Sequence, residues 1–274
     1  MAGALGLSEQ QAVIGAITID LPSLDAVMGT ARAALAGNSP PTVLMSANLD
    51  HVHHFAGPAA TLRTGIADGT RWLTLLDGRP VLNAVRRQGG RGAVAIPGSD
   101  LLTPVLDLAA ARGARVALIG GSDATRAYWS DVLPVRCPGL VMAGVWSVRW
   151  ADLDRPGAGA ALAATIALAR PDILIVSLGK PRQELWLHDH MAATGARLAL
   201  PVGSAADYLA GTARRPPAWV RQLNAEWLLR LIREPRRLWR RYLLEGPPAY
   251  LKLRRDLRVS DLGADYGPLD RPDR

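Results

Sequence analysis

The stretch Ile173–Glu184, ILIVSLGKPRQE, constrains this chain more than any other. Ile173, Leu174, Ile175 and Val176 form an unbroken apolar run, the pattern of a central parallel strand buried on both faces. Gly179 lets the backbone turn at the strand's end, and Pro181 suits the first turn of a helix. Leu185, Trp186, His190 and Met191 then continue at helical period. A strand, a glycine turn and a helix N-terminus make an anion site, because free N–H groups and the helix dipole converge there. Lys180, one of only two lysines in the chain, sits on that turn. An ordinary strand-to-helix junction with a solvated lysine would use the same residues.

Elsewhere the chain repeats the pattern. Val13–Ile19 reads as an opening strand, followed by a helix over Leu24–Ala36. Pro41–Met45 leads a second strand into Ser46-Ala47-Asn48, after which a helix begins at His51 and runs to about Thr64. His51, Val52, His53 and His54 do not read as a metal site, because neighbouring histidines on a helix point in different directions and no carboxylate or cysteine lies at ligand spacing. Trp72–Leu76 is a strand ending on Asp77-Gly78. A carboxylate there lies where open α/β sheets bind ligands, although Asp-Gly is also a favoured hairpin turn. Ile96-Pro97-Gly98-Ser99-Asp100 leads a helix over Leu101–Arg112 that Ser99 or Asp100 is placed to cap. Arg115–Ile119 is a buried strand ending on Gly120-Gly121-Ser122, a turn of nucleotide-binding type that lacks G-x-G-x-x-G. A strand over Leu140–Val145 and a helix over Ala158–Ala169 complete the alternation. The expected fold is a doubly wound α/β sheet, mostly parallel. Asp152-Leu153-Asp154 spells the D-x-D of metal-binding sugar-nucleotide enzymes, but it falls in a loop over Trp150–Gly159 and reads as a surface turn.

Composition narrows the class. With 274 residues, half of them apolar, the chain can bury one large core with an appendage. One cysteine, Cys137, allows no internal disulfide and fits a reducing compartment. No secretory signal is visible, and Ala158–Ala169 is too short to span a bilayer. A cytoplasmic protein is expected. The net charge is +8, yet it is uneven: Arg214–Arg258 holds thirteen basic residues against four acidic ones. That asymmetry implies an anionic partner for the C-terminal part.

After Leu198–Val202 comes a small-residue loop, Gly203–Gly211, that carries Asp207. Pro217 is placed to start a helix with Val220, Leu223, Trp227 and Leu231 on one face, and Pro235 to start another with Leu238, Trp239, Tyr242 and Leu243. Arg221, Arg230, Arg233, Arg236, Arg237, Arg240 and Arg241 are woven between them. A basic amphipathic helix pair with tryptophans suits an anionic membrane surface, and equally a helix packed on its own domain with a solvated basic face. The expected organisation is a core over 1–211, a basic helical appendage over 212–258, and a disordered tail over 259–274.

Taken in order, Ser46-Ala47-Asn48, Asp77-Gly78, Pro97-Gly98-Ser99-Asp100, Gly120-Gly121, Gly179-Lys180-Pro181-Arg182-Gln183-Glu184, Ala210-Gly211 with Arg215-Pro216-Pro217-Ala218-Trp219, and Glu226-Trp227 through Arg241-Tyr242 have the spacing of one family. Over roughly residues 13–245 the chain resembles the WecG/TagA/CpsF glycosyltransferases, glycosyltransferase family 26. The resemblance implies a Rossmann-like fold. It also implies transfer of N-acetylmannosamine or a related sugar from a UDP-sugar to a polyprenyl-diphosphate-linked sugar, in teichoic-acid, exopolysaccharide or other cell-surface polysaccharide synthesis. The reaction it implies inverts the anomeric centre, uses no metal or other cofactor, and takes place at the inner face of the membrane. Asp77 matches the base. Ser46 and Asn48 match the polar pair beside it, and Lys180 and Gln183 the positions beside the donor. Gly98, Asp100, Gly120, Gly121, Gly179, Glu184, Asp207 and Arg215 complete the expected substrate site, and the seven woven arginines are expected to meet membrane or diphosphate.

Three departures stand out. Ser46 replaces a commoner threonine and keeps the hydroxyl. Ala95 replaces an arginine that many members carry before the I-P-G-x-D string; if that arginine meets phosphate, Arg91 or a C-terminal arginine must serve here, or the activity is altered. Ala205-Ala206-Asp207-Tyr208 replaces a more aromatic loop, which bears on the donor sugar. Two other functions fit the same residues, a non-catalytic partner in a polysaccharide-assembly complex and a basic nucleic-acid-binding protein. The latter lacks any recognised nucleic-acid motif. A homo-oligomer is compatible with all three.

Overall fold

The computed structural model describes residues 10–57, 65–67, 69–148, 150–214 and 226–261. Ten strands form one sheet: β1 (Gln10–Ile14), β2 (Ile17–Asp20), β3 (Thr42–Ala47), β4 (Gly65–Ala67), β5 (Thr70–Leu76), β6 (Arg115–Gly120), β7 (Val141–Trp146), β8 (Ile173–Ser177), β9 (Leu198–Pro201) and β10 (Leu257–Asp261). Their order is β10-β1-β2-β5-β3-β9-β8-β6-β7, with β4 beside β5. From β2 to β7 all pairings along this order are parallel, and among the described residues antiparallel pairs occur only at β10-β1, β1-β2 and β4-β5.

The expected α/β fold is present, and β8 has the predicted double burial. Ile173 and Ile175 pack into one apolar cluster with helices Leu24–Leu35 and Gly98–Arg112. Leu174 and Val176 pack into the other, with helices Leu49–Phe55, Arg79–Arg87, Ala158–Leu168 and Arg182–Thr194. Helices thus cover both faces, as the unbroken apolar run requires. Gly179 has φ +77°, the left-handed turn expected of it.

Several local expectations are corrected. The opening strand is two strands, because Gly15 turns the chain at φ +57° and Ile14 pairs with Ile17; a side chain there would collide with the Ala56 carbonyl. The helix after β3 starts earlier, at Leu49, capped by the Asn48 side chain, and ends at Phe55; residues 58–64 lie outside the described ones. The helix expected from Leu101 starts at Gly98 without a side-chain cap: Ser99 turns its hydroxyl to Asp100 instead. Asp152 lies in a short helix, Trp150–Leu153, at the surface rather than in a loop.

Towards the C-terminus, Glu226–Arg233 and Pro235–Trp239 are helices, broken at Pro235 as expected. A π-helical turn over Arg240–Glu245 and a helix over Gly246–Asp256 follow. Ala249, Leu253 and Leu257 join the apolar cluster of the β1–β2 side. The strand over Leu257–Asp261 then pairs with β1, so order extends past the tail boundary expected at 258. Backbone hydrogen bonding and apolar burial hold this end of the chain where acidic and glycine-rich composition suggested none. Pro217, Trp219 and the residues after Asp261 lie outside the described ones.

Candidate active site

Every strand-end loop that the sequence singled out lies on one edge of the sheet. Going across it, β5 ends before Asp77, β3 before Asn48, β9 before Gly203, β8 before Gly179 and β6 at Gly120. These are the carboxyl ends of neighbouring parallel strands, where open α/β sheets bind ligands. The sheet also opens here. β3 stays paired with β5 as far as Ala47, but its pairing with β9 stops at Val43. Ile96–Gly98 occupies the gap. The Ser46 hydroxyl donates to the Ile96 carbonyl at 2.9 Å, and a side chain on Gly98 would stand 3.7 Å from Val202 Cα and 3.8 Å from Ser46 Oγ.

A cavity of about 620 Å³ opens on this edge. Asn48, Asp77, Ala95, Gly98, Asp100 and Lys180 line it, with Tyr208, Trp227 and Arg241 over them. Asp77 is held by its backbone N–H to the Ala47 carbonyl at 2.9 Å, and Asn48 Nδ2 donates to Asp77 Oδ2 at 3.1 Å. A second cavity, about 900 Å³, adjoins the first and is lined by Gly120, Gly121, Ser122, Asp207 and Arg214. Gly179, Lys180, Tyr208 and Arg241 belong to both, so the two form one cleft.

Two basic residues, Lys180 and Arg241, and two acidic ones, Asp50 and Glu245, line both cavities. Burial pushes the Lys180 ammonium below the usual lysine range, although Asp77 and Glu184 pull it back up. Arg241 Nη2 lies 3.1 Å from Asp50 Oδ2, which joins the C-terminal segment to the helix after β3. Arg91, the expected substitute for the arginine missing at Ala95, is exposed and lines neither cavity; Arg79, Lys180 and Arg241 line the one that Ala95 faces.

Other expected residues take supporting places. Gln183 and Glu184 are fully buried behind the wall: Gln183 Oε1 accepts the Gly203 N–H at 3.1 Å, and its amide donates to Glu184 Oε1 at 2.8 Å. Asp207 accepts the Thr125 hydroxyl at 2.5 Å, and Thr125 and Thr212 meet at 2.8 Å. That cluster fastens the root of the C-terminal segment to the helix that follows Gly121. Arg236 and Arg240 are exposed. Arg215 and Arg221, and the side chains of Arg230, Arg233 and Arg237, lie outside the described ones. Among the described residues no three histidine, cysteine or acidic side chains group as metal ligands.

Two participants escaped the sequence reading. Asp50 pairs with Arg241, and His51, set aside with its neighbours as a non-metal histidine, is buried against Glu184. The spacing of Asn48 and His51, cap and third helical residue, was the available signal.

A family model described as "Glycosyl transferase WecG/TagA/CpsF family" matches residues 12–261. The chain is 31% identical over 170 residues to the N-acetylglucosaminyldiphosphoundecaprenol N-acetyl-beta-D-mannosaminyltransferase of Bacillus subtilis (strain 168), covering 62% of this chain and 63% of that protein. It is 28% identical over 164 residues to the protein of the same description from Staphylococcus aureus (strain MRSA252), covering 60% and 62%. The match therefore spans less than two thirds of each relative's length.

Proposed function

Because this chain belongs to the WecG/TagA/CpsF glycosyl transferase family, we propose that it moves N-acetylmannosamine or a related sugar from a UDP-sugar to a polyprenyl-diphosphate-linked sugar. The observation that carries the reading is Asp77, presented at a parallel strand end with Asn48 at 3.1 Å, in a cavity it shares with Lys180 and Arg241. The acceptor hydroxyl attacks the anomeric carbon while Asp77 takes its proton. The bond from that carbon to the diphosphate oxygen breaks, and UDP leaves with the added negative charge. A single in-line displacement inverts the anomeric centre. The base needs reach to the hydroxyl, and the leaving group needs fixed positive charge. Lys180 and Arg241 supply that charge in a metal-independent transfer, which also accounts for tolerating Ala95. Gly120, Gly121 and Arg214 in the adjoining cavity suit the nucleotide.

A lipid-linked acceptor stays in its bilayer, so the protein must come to that surface. No helix among the described residues is long and apolar enough to cross a membrane. The C-terminal helices instead expose Trp227, Ile232, Trp239, Leu243, Leu244 and Leu251 beside Arg236 and Arg240. That combination suits peripheral docking on an anionic inner-face membrane.

The test is incubation of the full chain with UDP-N-acetylmannosamine and a water-soluble short-chain prenyl-diphosphate-linked N-acetylglucosamine, with a chelator present. An inverted glycosidic product is expected. Absence of product with any UDP-sugar, together with no rise in melting temperature on adding UDP, would overturn the reading.

A further inference from the structure

Behind the cavity wall lies a group of buried polar side chains that the transfer step leaves unused. His51, 1% exposed, stands on the helix after β3; Glu184, 0% exposed, stands on the helix after β8. His51 Nε2 and Glu184 Oε1 are 3.2 Å apart. The other ring nitrogen, Nδ1, faces the Asn48 backbone N–H at 3.2 Å, Lys180 Nζ at 3.4 Å and Asn48 Oδ1 at 3.4 Å. A backbone amide and an ammonium can only donate, and Asn48 Oδ1 already accepts the Asp50 N–H at 3.1 Å. Nδ1 is therefore the acceptor. The ring proton sits on Nε2, directed at the Glu184 carboxylate. Through Gln183 the same carboxylate is tied to the Gly203 N–H. One imidazole thus joins three of the loops that build the cleft.

We propose that His51 is a positioning residue for the transfer step: as a neutral imidazole it fixes Asn48, which donates to Asp77, and the Lys180 ammonium, which lines the same cavity as Asp77. This rests on the glycosyl-transfer reading above. His51 lines neither cavity, so whatever it does passes through those two neighbours. The choice of side chain has a physical reason. A carboxylate at this point would pair with the ammonium and cancel the charge offered to a departing diphosphate. A protonated imidazole would set two cations 3.4 Å apart. A neutral imidazole accepts from the ammonium and leaves its charge intact. The charged groups facing the ring are Lys180, Glu184 and Asp50. Burial, then the Lys180 charge, holds the ring below histidine's usual range, which agrees with the neutral form.

The test compares His51→Leu, His51→Asn and His51→Gln. The asparagine amide reaches the place of Nδ1, whereas glutamine reaches only that of Nε2. His51→Leu should lower kcat on the soluble acceptor by about 10²-fold, the cost of misplacing groups by about 1 Å, with KM for the UDP-sugar changed little. His51→Asn should recover most of kcat, and His51→Gln little of it. A second readout needs no turnover. Hydrogen exchange at the Asn48 backbone amide, and the NMR shift of its side-chain amide, should change in His51→Leu and His51→Gln and revert in His51→Asn. Should His51→Leu fail to fold, the Asn-to-Gln contrast decides by itself. Wild-type kcat in folded His51→Leu, or equal behaviour of Asn and Gln at Asn48, overturns the proposal. If the wild-type chain transfers no sugar, the parent reading fails, and the Asn48 signals still decide whether His51 positions that loop.

Discussion

The strand-end loops and the C-terminal helices treat water in opposite ways. Around the loops, polar side chains are buried and hydrogen-bonded to one another, with only Glu184 Oε2 among them lacking a partner within the described residues: His51, Gln183 and Glu184 are each at most 1% exposed. Between Trp227 and Leu251, large apolar side chains stand in solvent, Trp227 and Trp239 at 45% and Ile232 and Leu251 at 67%. Burying charge costs stability unless every group finds a partner, so such networks persist where geometry must be fixed. Exposed apolar clusters persist where another surface covers them. The contrast supports the proposed chemistry in one region and the proposed docking in the other. Arg241 belongs to both, since it reaches from the docking segment to Asp50 and lines the cleft.

The largest effect expected from breaking this division is on membrane partition. Reversing Arg236, Arg237 and Arg240 to glutamate should weaken binding to phosphatidylglycerol vesicles by on the order of 10²-fold or more, at about 1 kcal/mol for each basic residue lost. The melting temperature should barely move, and high salt should mimic the variant. Unchanged sedimentation with vesicles would return these arginines to a solvated face.

Next in size is the part of the C-terminal segment that behaves as core. Leu253 is fully buried against the main cluster. Leu253→Ala should cost about 3 kcal/mol in urea unfolding. A loss under about 1 kcal/mol would mean that this helix is an appendage after all.

Arg241→Ala leaves the Asp50 carboxylate, 6% exposed, without its guanidinium. Because Arg241 itself is 28% exposed, a loss of about 1–3 kcal/mol is expected rather than the full cost of breaking a buried pair. Adding Asp50→Asn should restore stability without restoring turnover. Recovery of both would reduce Arg241 to a structural pair.

The smallest effect is on pH dependence, and its sign is fixed. The folded-state pKa of His51 lies below its ordinary 6.5, so below that pH the unfolded chain binds a proton that the folded chain resists. Burial alone would raise Glu184, but the hydrogen bonds from His51 and Gln183 and the Lys180 charge outweigh it and hold the pKa below 4.5. Its contribution is present above 4.5 and lost as pH falls through the folded value. Both groups make the protein less stable in acid. Melting temperature should decline from about pH 6.5 downward, and His51→Leu should flatten the upper part of that decline.

Much of this was legible in the residues. The apolar run of β8 announced a doubly covered sheet, Asp77 and Lys180 were marked by their places at strand ends, and Asn48 by the family resemblance. What stayed hidden depends on contacts distant in sequence. Nothing near Asp50 points to Arg241, 191 positions away, and nothing near His51 points to Glu184, 133 away. Gln183 and Glu184 were expected at the substrate site from the family resemblance carried by the Gly179–Glu184 string. The helix rotates them inward, where they hold Gly203 and His51. Leu257–Asp261 carries no alternation strong enough to announce a strand, and its pairing with β1 supplies the order.

Asp77 is the residue on which the proposed transfer depends most directly. Single-turnover transfer from the UDP-sugar to the water-soluble acceptor, measured for wild type and Asp77→Asn alongside calorimetric UDP binding, isolates the base from membrane docking. The predicted result is a rate lower by about 10²–10⁴-fold with UDP affinity and melting temperature nearly unchanged. Wild-type turnover by Asp77→Asn would contradict it and move the base elsewhere, with Asp100 and Asp207 next in line.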